Sequence, residues 1–196
     1  GAADREIPAL GTDPYPAGGD ARVLFAGNVY TRDHQAEAND VLVAKLNEIG
    51  ELLCGRGCRL YMIGFGDVSQ VDPGCVTYLG AVSHDEAWNF FGHADVGIVV
   101  SAGSFMHNNE STKIYHYLRA GLPVVSESGF PNDDVVRNSG LGFVVNNGDM
   151  VGMAQRIEEA ARASWDRAPA VRYIVDHHTW DTRVDVYDRV LQQHSL

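Results

Sequence analysis

"DVGIVVSAGSFMHNNESTKIYHYLRAGLPVVSE", residues Asp95 to Glu127, decides the fold. Its first seven residues are almost continuously apolar, the pattern of a strand covered on both faces in a parallel sheet. A polar, glycine-bearing loop follows. From about Ser111 to Ala120 apolar residues recur at helical spacing. Beyond Ala120-Gly121, "LPVVS" (Leu122 to Ser126) reads as the next strand, with Pro123 at its start, where a missing N–H is tolerated. A strand, a helix and a strand in this order make one right-handed crossover.

The same alternation extends in both directions. "ARVLFAG" (Ala21 to Gly27) reads as a buried strand closed by glycine. A helix follows, with Leu42, Leu46, Ile49 and Leu53 on one face and a stop near Gly55. "CRLYMIGFGD" (Cys58 to Asp67) and "GCVTYLGAV" (Gly74 to Val82) read as strands. "SHDEAWNFFGHA" reads as a short helix, with Ser83 and Glu86 spaced as a capping box. Downstream, "NDDVVRNSGLGFVV" gives a helix, a turn and a last strand ending near Val145. Asp149 caps a helix carrying Met150, Met153, Ile157 and Ala161 on one face. From Arg162 the pattern is helical only, and Trp88, Trp165 and Trp180 read as packing anchors. The prediction is an α/β fold: a Rossmann-like, three-layer open parallel sheet of about six strands with helices on both faces, followed by C-terminal helices. Residues 1–20, rich in Gly, Pro and Asp, read as a linker, residues 21–161 as the α/β domain, and residues 162–196 as C-terminal helices of the same domain. Ligands of such sheets bind beyond the carboxyl ends of the strands, near the point where strand order reverses.

Composition narrows the partners. A formal charge of -11 argues against a nucleic-acid backbone or an anionic membrane surface as the main partner. No apolar run is long enough to span a membrane. Three cysteines, Cys54, Cys58 and Cys75, match no disulfide or metal framework and read as reduced thiols of a cytosolic-type protein. No metal site is expected.

The informative chemistry lies at the start of the helix after the apolar strand. A helix start leaves four backbone N–H groups unpaired and carries partial positive charge, so it suits an anion, most often phosphate. Ser111 and Thr112 add hydroxyls there. Lys113 adds a full positive charge in the first turn, which the helix dipole disfavours unless an anion offsets it. That makes Lys113 the most informative residue. The bland alternative is a helix capped by Ser111 or Asn109, with Lys113 in solvent. "FAGN" and "IGFGD" both follow strands, which suits close backbone approach to a ligand or an ordinary turn. Neither is a dinucleotide fingerprint, because the third glycine and the helix behind it are missing.

Taken together, the elements from Ala21 to Leu191 resemble the C-terminal, nucleotide-sugar-binding domain of GT-B glycosyltransferases. The residues that carry the resemblance are "LFAGN", "LYMIGFGD", "VTYLGAV", "DVGIVV", "KIYHYLRAGLPVV" and the closing "TWDTRVDVYDRVL". The last but one matches the family pattern K-x-x-E-Y-L-x-x-G-x-P-V-V, with histidine in place of glutamate. The chain is also similar to the bacterial glucuronosyltransferases of xanthan-type polysaccharide synthesis, which keep the lysine and lack that glutamate.

This resemblance implies one half of a GT-B fold and roles for particular residues. Lys113 would contact the donor diphosphate, with Ser111 and Thr112 nearby, and Gly27 and Asn28 would lie against the phosphates or the sugar. Gly64, Phe65 and Val82 would border the base. His116 would stand where many relatives bind ribose hydroxyls through glutamate. Asn108 falls where retaining relatives place an earlier glutamate, and Glu110 is the candidate to replace that sugar-side carboxylate. The implied function is the donor-binding domain of a glycosyltransferase that moves a sugar from a nucleoside diphosphate sugar, UDP-linked by expectation, to a hydroxyl acceptor. It would need no cofactor and no metal. It would work with an N-terminal acceptor-binding domain, without which it is expected to be inactive. It would be cytoplasmic, peripheral to the inner face of a membrane through that other domain. The alternatives are a non-catalytic nucleotide-sugar-binding or regulatory domain, or an epimerase-like half of the same architecture. A response-regulator-like sheet would need an acidic cluster after the first strand, where "GNVY" stands instead.

Overall fold

The computed structural model describes residues 2–30 and 32–194. Gly1, Thr31, Ser195 and Leu196, which fall in the expected linker, the loop after the first strand and the terminal helix, lie outside the described residues.

Among the described residues the strands are β1 (Ala21–Ala26), β2 (Cys58–Ile63), β3 (Val76–Tyr78), β4 (Val96–Val99), β5 (Val124–Glu127) and β6 (Gly142–Val145). All neighbours pair in parallel, in the order β3-β2-β1-β4-β5-β6. Strand order reverses between β1 and β4, so the chains leaving these two strands diverge and open a crevice.

Helices cover both faces, as the near-continuous apolar strands require. On one side α1 (Arg32–Leu53) and α5 (Met150–Arg162) bury Leu42, Leu46, Ile49, Leu53, Met153 and Ile157 against the sheet. The other side holds α2 (His84–His93), α3 (Thr112–Arg119), α4 (Asp133–Ser139) and α6 (Arg167–His177), with Trp88, Phe91, Ile114, Tyr117, Val136 and Ile174 in its core. The predicted helix starts are present. Ser83 and Glu86 form the capping box of α2, and the Asp149 side chain accepts from Gly152 N. A non-helical Gln35 kinks α1 near its beginning.

Two expectations change. Residues 2–20 are not a free linker. Ala2 and Ala3 are fully buried, Tyr15 donates its hydroxyl to Phe90 O at 3.0 Å, and Ala3 pairs with the turn before α7 (Trp180–His194). Sequence reading missed this because the anchors are single apolar residues and backbone bonds, without period. Trp180 is not a packing anchor either: it is 52 % exposed at the start of α7, a surface helix that also exposes Val184 and Tyr187. Trp88 is buried, and Trp165 donates to Ala160 O at 2.8 Å while packing on Phe143.

Candidate functional site

One aromatic ring sets the position of α3 over the sheet. Tyr117 is fully buried, and its hydroxyl accepts from Ala26 N, the last residue of β1, at 2.8 Å. Room for the ring comes from Gly97 in β4, where a Cβ would stand 2.5 Å from Tyr117 Cδ2. Lys113 lies four residues earlier, one helical turn toward the N-terminus on the same face. Its side chain therefore crosses the end of β1. A Cβ on Gly27 would stand 2.4 Å from Lys113 Cε and 2.9 Å from Nζ, so any side chain there would displace the end of the lysine.

Lys113 is half-buried, and among the described residues no carboxylate pairs with it. Nζ stands 5.2 Å from the centre of the Phe25 ring. Burial lowers its pKa from the usual lysine range to about 8. The start of α3 is equally unsatisfied. Ser111 is the N-cap residue, yet its side chain makes no capping bond. Asn132 holds the backbone on both sides, accepting from Ser111 N at 2.8 Å and donating to Ser111 O at 3.0 Å. The helix start is thus rigid but open to an anion.

Two grooves meet at Gly27 and Lys113. The first, about 280 Å³, is bordered by Tyr30, Glu110, Ser111, Thr112, Lys113 and Phe130. The second, about 210 Å³, is bordered by Gly27, Asn28, Gly64, Phe65, Val82 and His84. Asn28 Oδ1 accepts from Phe65 N at 2.9 Å, and Tyr78 donates to Gly64 O at 2.7 Å. The Asn28 bond continues the β1–β2 pairing past the strand ends, together with Gly27 N to Ile63 O and Val29 N to Phe65 O, both 2.9 Å. Phe65 projects outward, 61 % exposed. A larger cavity of about 560 Å³ lies between the start of α1 and Gly103–Phe105, and Lys113 does not border it. Among the described residues its border offers one ionisable side chain, Glu37.

Gly64 has φ +141°, and a Cβ there would meet Gly27 O at 2.2 Å. Gly80, with φ +94°, has open space around its Cβ position. Gly64→Ala is therefore expected to lower stability by about 1–3 kcal/mol for the backbone alone, plus the displacement of Gly27. Gly80→Ala should cost only the backbone part. Urea unfolding midpoints of the two variants measure the difference, and equal midpoints would remove the Gly27 contact from the argument.

The structure thus gathers Gly27, Asn28, Gly64, Phe65, Val82, Glu110, Ser111, Thr112 and Lys113 at the paired grooves. It does not bring in His116 or Asn108. The His116 ring packs against Trp88 at 5.2 Å, His84 at 5.4 Å and Phe91 at 6.4 Å between centroids. Burial, then the neighbouring His84, lowers its pKa to about 4. The physical reason is rotation: three residues on from Lys113 the side chain lies about 60° round the helix and meets α2 rather than the groove. Asn108 ends an exposed 3₁₀ turn, Ser104–Asn108, and borders neither groove. Glu110 stands at the rim, with Oε2 accepting from Arg183 of α7 at 2.9 Å. Among the described residues no three His, Cys, Asp or Glu side chains gather as a metal site. No described helix is long and apolar enough to cross a membrane.

Sequence reading missed a buried ion pair behind the site. Glu127, fully buried at the end of β5, accepts from Lys45 Nζ at 2.7 Å, Ser101 N at 2.6 Å and Gly148 N at 2.8 Å. It ties α1 to the chain leaving β4. The only trace in the sequence is a carboxylate closing an apolar strand.

The chain is similar in sequence and in fold to known proteins. A family model described as "Glucosyltransferase 3-like, C-terminal domain" matches residues 43–167, which include Gly64 to Lys113. No curated protein matches the sequence. Among solved structures, the N-terminal domain of Candida albicans trehalose-6-phosphate phosphatase is 14 % identical with a TM-score of 0.64, over 91 % of this chain and 42 % of that one. Sucrose-phosphate synthase from Thermosynechococcus elongatus is 18 % identical with a TM-score of 0.64, over 98 % and 51 %. The glycosyltransferase SnogD from Streptomyces nogalater is 20 % identical with a TM-score of 0.57, over 94 % and 47 %. At these identities the structures speak for the fold alone, the half of a GT-B architecture that the motifs implied. The chain spans about half the length of the structures it matches.

Proposed function

This chain belongs to the family of glucosyltransferase 3-like C-terminal domains, and from that premise we propose that it binds the nucleoside diphosphate sugar, UDP-linked, of a two-domain glycosyltransferase. One observation carries the proposal. Lys113 holds a half-buried ammonium with no carboxylate partner among the described residues, across Gly27, beside an uncapped helix start. Leaving such a charge unpaired is costly, and a diphosphate would offset it.

In this reading the diphosphate lies at Gly27, Ser111, Thr112 and Lys113, the sugar in the groove toward Tyr30 and Glu110, and the nucleoside toward Gly64, Phe65 and Val82. The bond from the anomeric carbon to the diphosphate oxygen breaks, and its electron pair goes to the diphosphate. Lys113 and the N–H groups of α3 stabilise that growing charge. The acceptor oxygen forms the new bond to the anomeric carbon, and its proton leaves to a base or to the departing phosphate. The acceptor and its partner groups belong to an N-terminal domain. Glu110, already bonded to Arg183, is a rim carboxylate facing the sugar.

Calorimetric titration with UDP and UDP-sugars tests the assignment: saturable binding supports it, and no heat at millimolar ligand removes it. A pH series adds a second test. Because Lys113 deprotonates near pH 8 in the free protein, ligand binding above that pH must take up a proton. Affinity for UDP should change little between about pH 7 and pH 7.5, since phosphate ionisation, centred near pH 6, is largely complete there. It should then fall by up to about ten-fold per unit as pH rises further. A flat profile to pH 9.5 would take Lys113 out of the site.

A further inference from the structure

Only two lysines occur in the 196 residues, Lys45 and Lys113, and every other strongly basic side chain is arginine. The fold treats the two amines differently. Lys45 Nζ donates to both carboxylate oxygens of Glu127, at 2.7 and 2.9 Å, and to Ser101 O at 2.9 Å. Its three hydrogens already have acceptors. Lys113 has no carboxylate partner among the described residues, and it borders the groove with Ser111 and Thr112.

An amine is a nucleophile only when neutral. Burial beside the Phe25 ring brings the Lys113 pKa to about 8. About a quarter of it is then neutral at pH 7.5, against about a thousandth of an ordinary lysine. The same groove offers a seat for phosphate. Ser111 makes no side-chain capping bond, Thr112 is exposed beside it, and Lys113 follows in the first turn of α3. In an acyl phosphate the reactive carbonyl carbon is joined to the phosphate through one oxygen. Docking the phosphate therefore brings that carbon to the amine, and a bimolecular encounter becomes a step within the groove.

We propose that Lys113 is a regulatory acylation site, which takes the acyl group of small acyl phosphates and thereby closes its own anion site. The inference rests on the anion-binding part of the donor reading above. The Nζ lone pair attacks the carbonyl carbon. The bond from that carbon to the phosphate oxygen breaks, and its electron pair leaves with inorganic phosphate. Nζ releases one proton to solvent, and a neutral amide remains. The amide has no charge with which to offset a diphosphate. A docked phosphate favours the ammonium, so acylation runs through the neutral fraction and its rate rises with pH through 8.

The test is peptide mapping by mass spectrometry of the whole chain after incubation with acetyl phosphate at pH 8. Lys113 should gain an acetyl group at least about ten-fold faster than Lys45. The rate should saturate as acetyl phosphate rises, and inorganic pyrophosphate should suppress it. The acetylated chain should bind UDP about one hundred-fold more weakly. Lys113→Arg keeps a charge but offers no amine to acylate, so its remaining UDP affinity should survive the same treatment. Equal rates at Lys45 and Lys113 overturn the proposal. So does a rate that is linear in acetyl phosphate and indifferent to pyrophosphate, or an acetylated chain that binds UDP as before. Loss of UDP affinity in treated Lys113→Arg would place the effect at another residue and overturn it too. If UDP binds through Lys113 while acetyl phosphate leaves Lys113 unmodified, only this inference fails. If neither UDP nor pyrophosphate binds, the donor-binding reading fails and takes it along.

Discussion

Lys113→Ala is expected to reduce UDP affinity by about one hundred-fold or more while leaving the fold at least as stable. The two halves of this expectation have one cause. Charge-assisted contacts to a diphosphate in a partly desolvated groove are each worth about 1.5–3 kcal/mol, and loss of the ammonium also weakens the anion site at the start of α3. Without ligand the same ammonium is a cost. Its pKa in the folded chain, about 8, lies below the unfolded value. The unfolded state therefore binds more protons between those two values. This group's penalty is full below about pH 8 and fades as pH rises toward the normal lysine range. Removing it at pH 7 should leave the melting temperature unchanged or raised. Loss of binding with a lowered melting temperature would mark Lys113 as a structural residue. Lys113→Arg distinguishes charge from shape, because the larger planar guanidinium has to lie across Gly27 in place of a compact ammonium. It should recover only part of the affinity.

Glu127→Ala is expected to cost about 3–5 kcal/mol, the largest stability loss among these predictions. The carboxylate is fully buried, and its removal strands Lys45 Nζ and the N–H groups of Ser101 and Gly148. A buried pair is weak evidence of net stabilisation, since replacing both partners with apolar groups is often neutral or better. The double variant Lys45→Met with Glu127→Leu should therefore recover part of the loss. Urea unfolding with midpoint and slope for each single and double variant measures this as a coupling energy. Additive losses would show that Lys45 and Glu127 do not act as a unit. The effect bears on function because Ser101 begins the chain that runs from β4 to Glu110 and Lys113.

Sequence reading located the sheet because its signals are local. An apolar strand such as residues 95–101, a capping box at Ser83 and Glu86, and a helical face through Leu42, Leu46 and Ile49 each fix an element by period or by a single turn of chain. Lys113 was legible for the same reason, as a charge on the wrong end of a helix. Glycines 27 and 64 were legible only as candidates. What sets them is a contact across the fold, the movable end of Lys113 over Gly27 and the backbone oxygen of Gly27 against Gly64. A three-residue step from Lys113 to His116 looks like a shared face, but α2 covers that part of α3. Arg183 and Glu127 act through partners tens of residues away. Long-range pairs leave no periodicity, so no reading of a single sequence could have joined them.

On the proposed function, the grooves meeting at Gly27 and Lys113 hold a nucleoside diphosphate. Hydrogen exchange with and without saturating UDP tests it most directly, because bound ligand protects the backbone it touches. Slower exchange is predicted at residues 26–28, 64–66, 82–84 and 111–114, with residues 144–159 unchanged. Protection confined to residues 36–41 and 103–105, or no protection anywhere at saturating UDP, would contradict it.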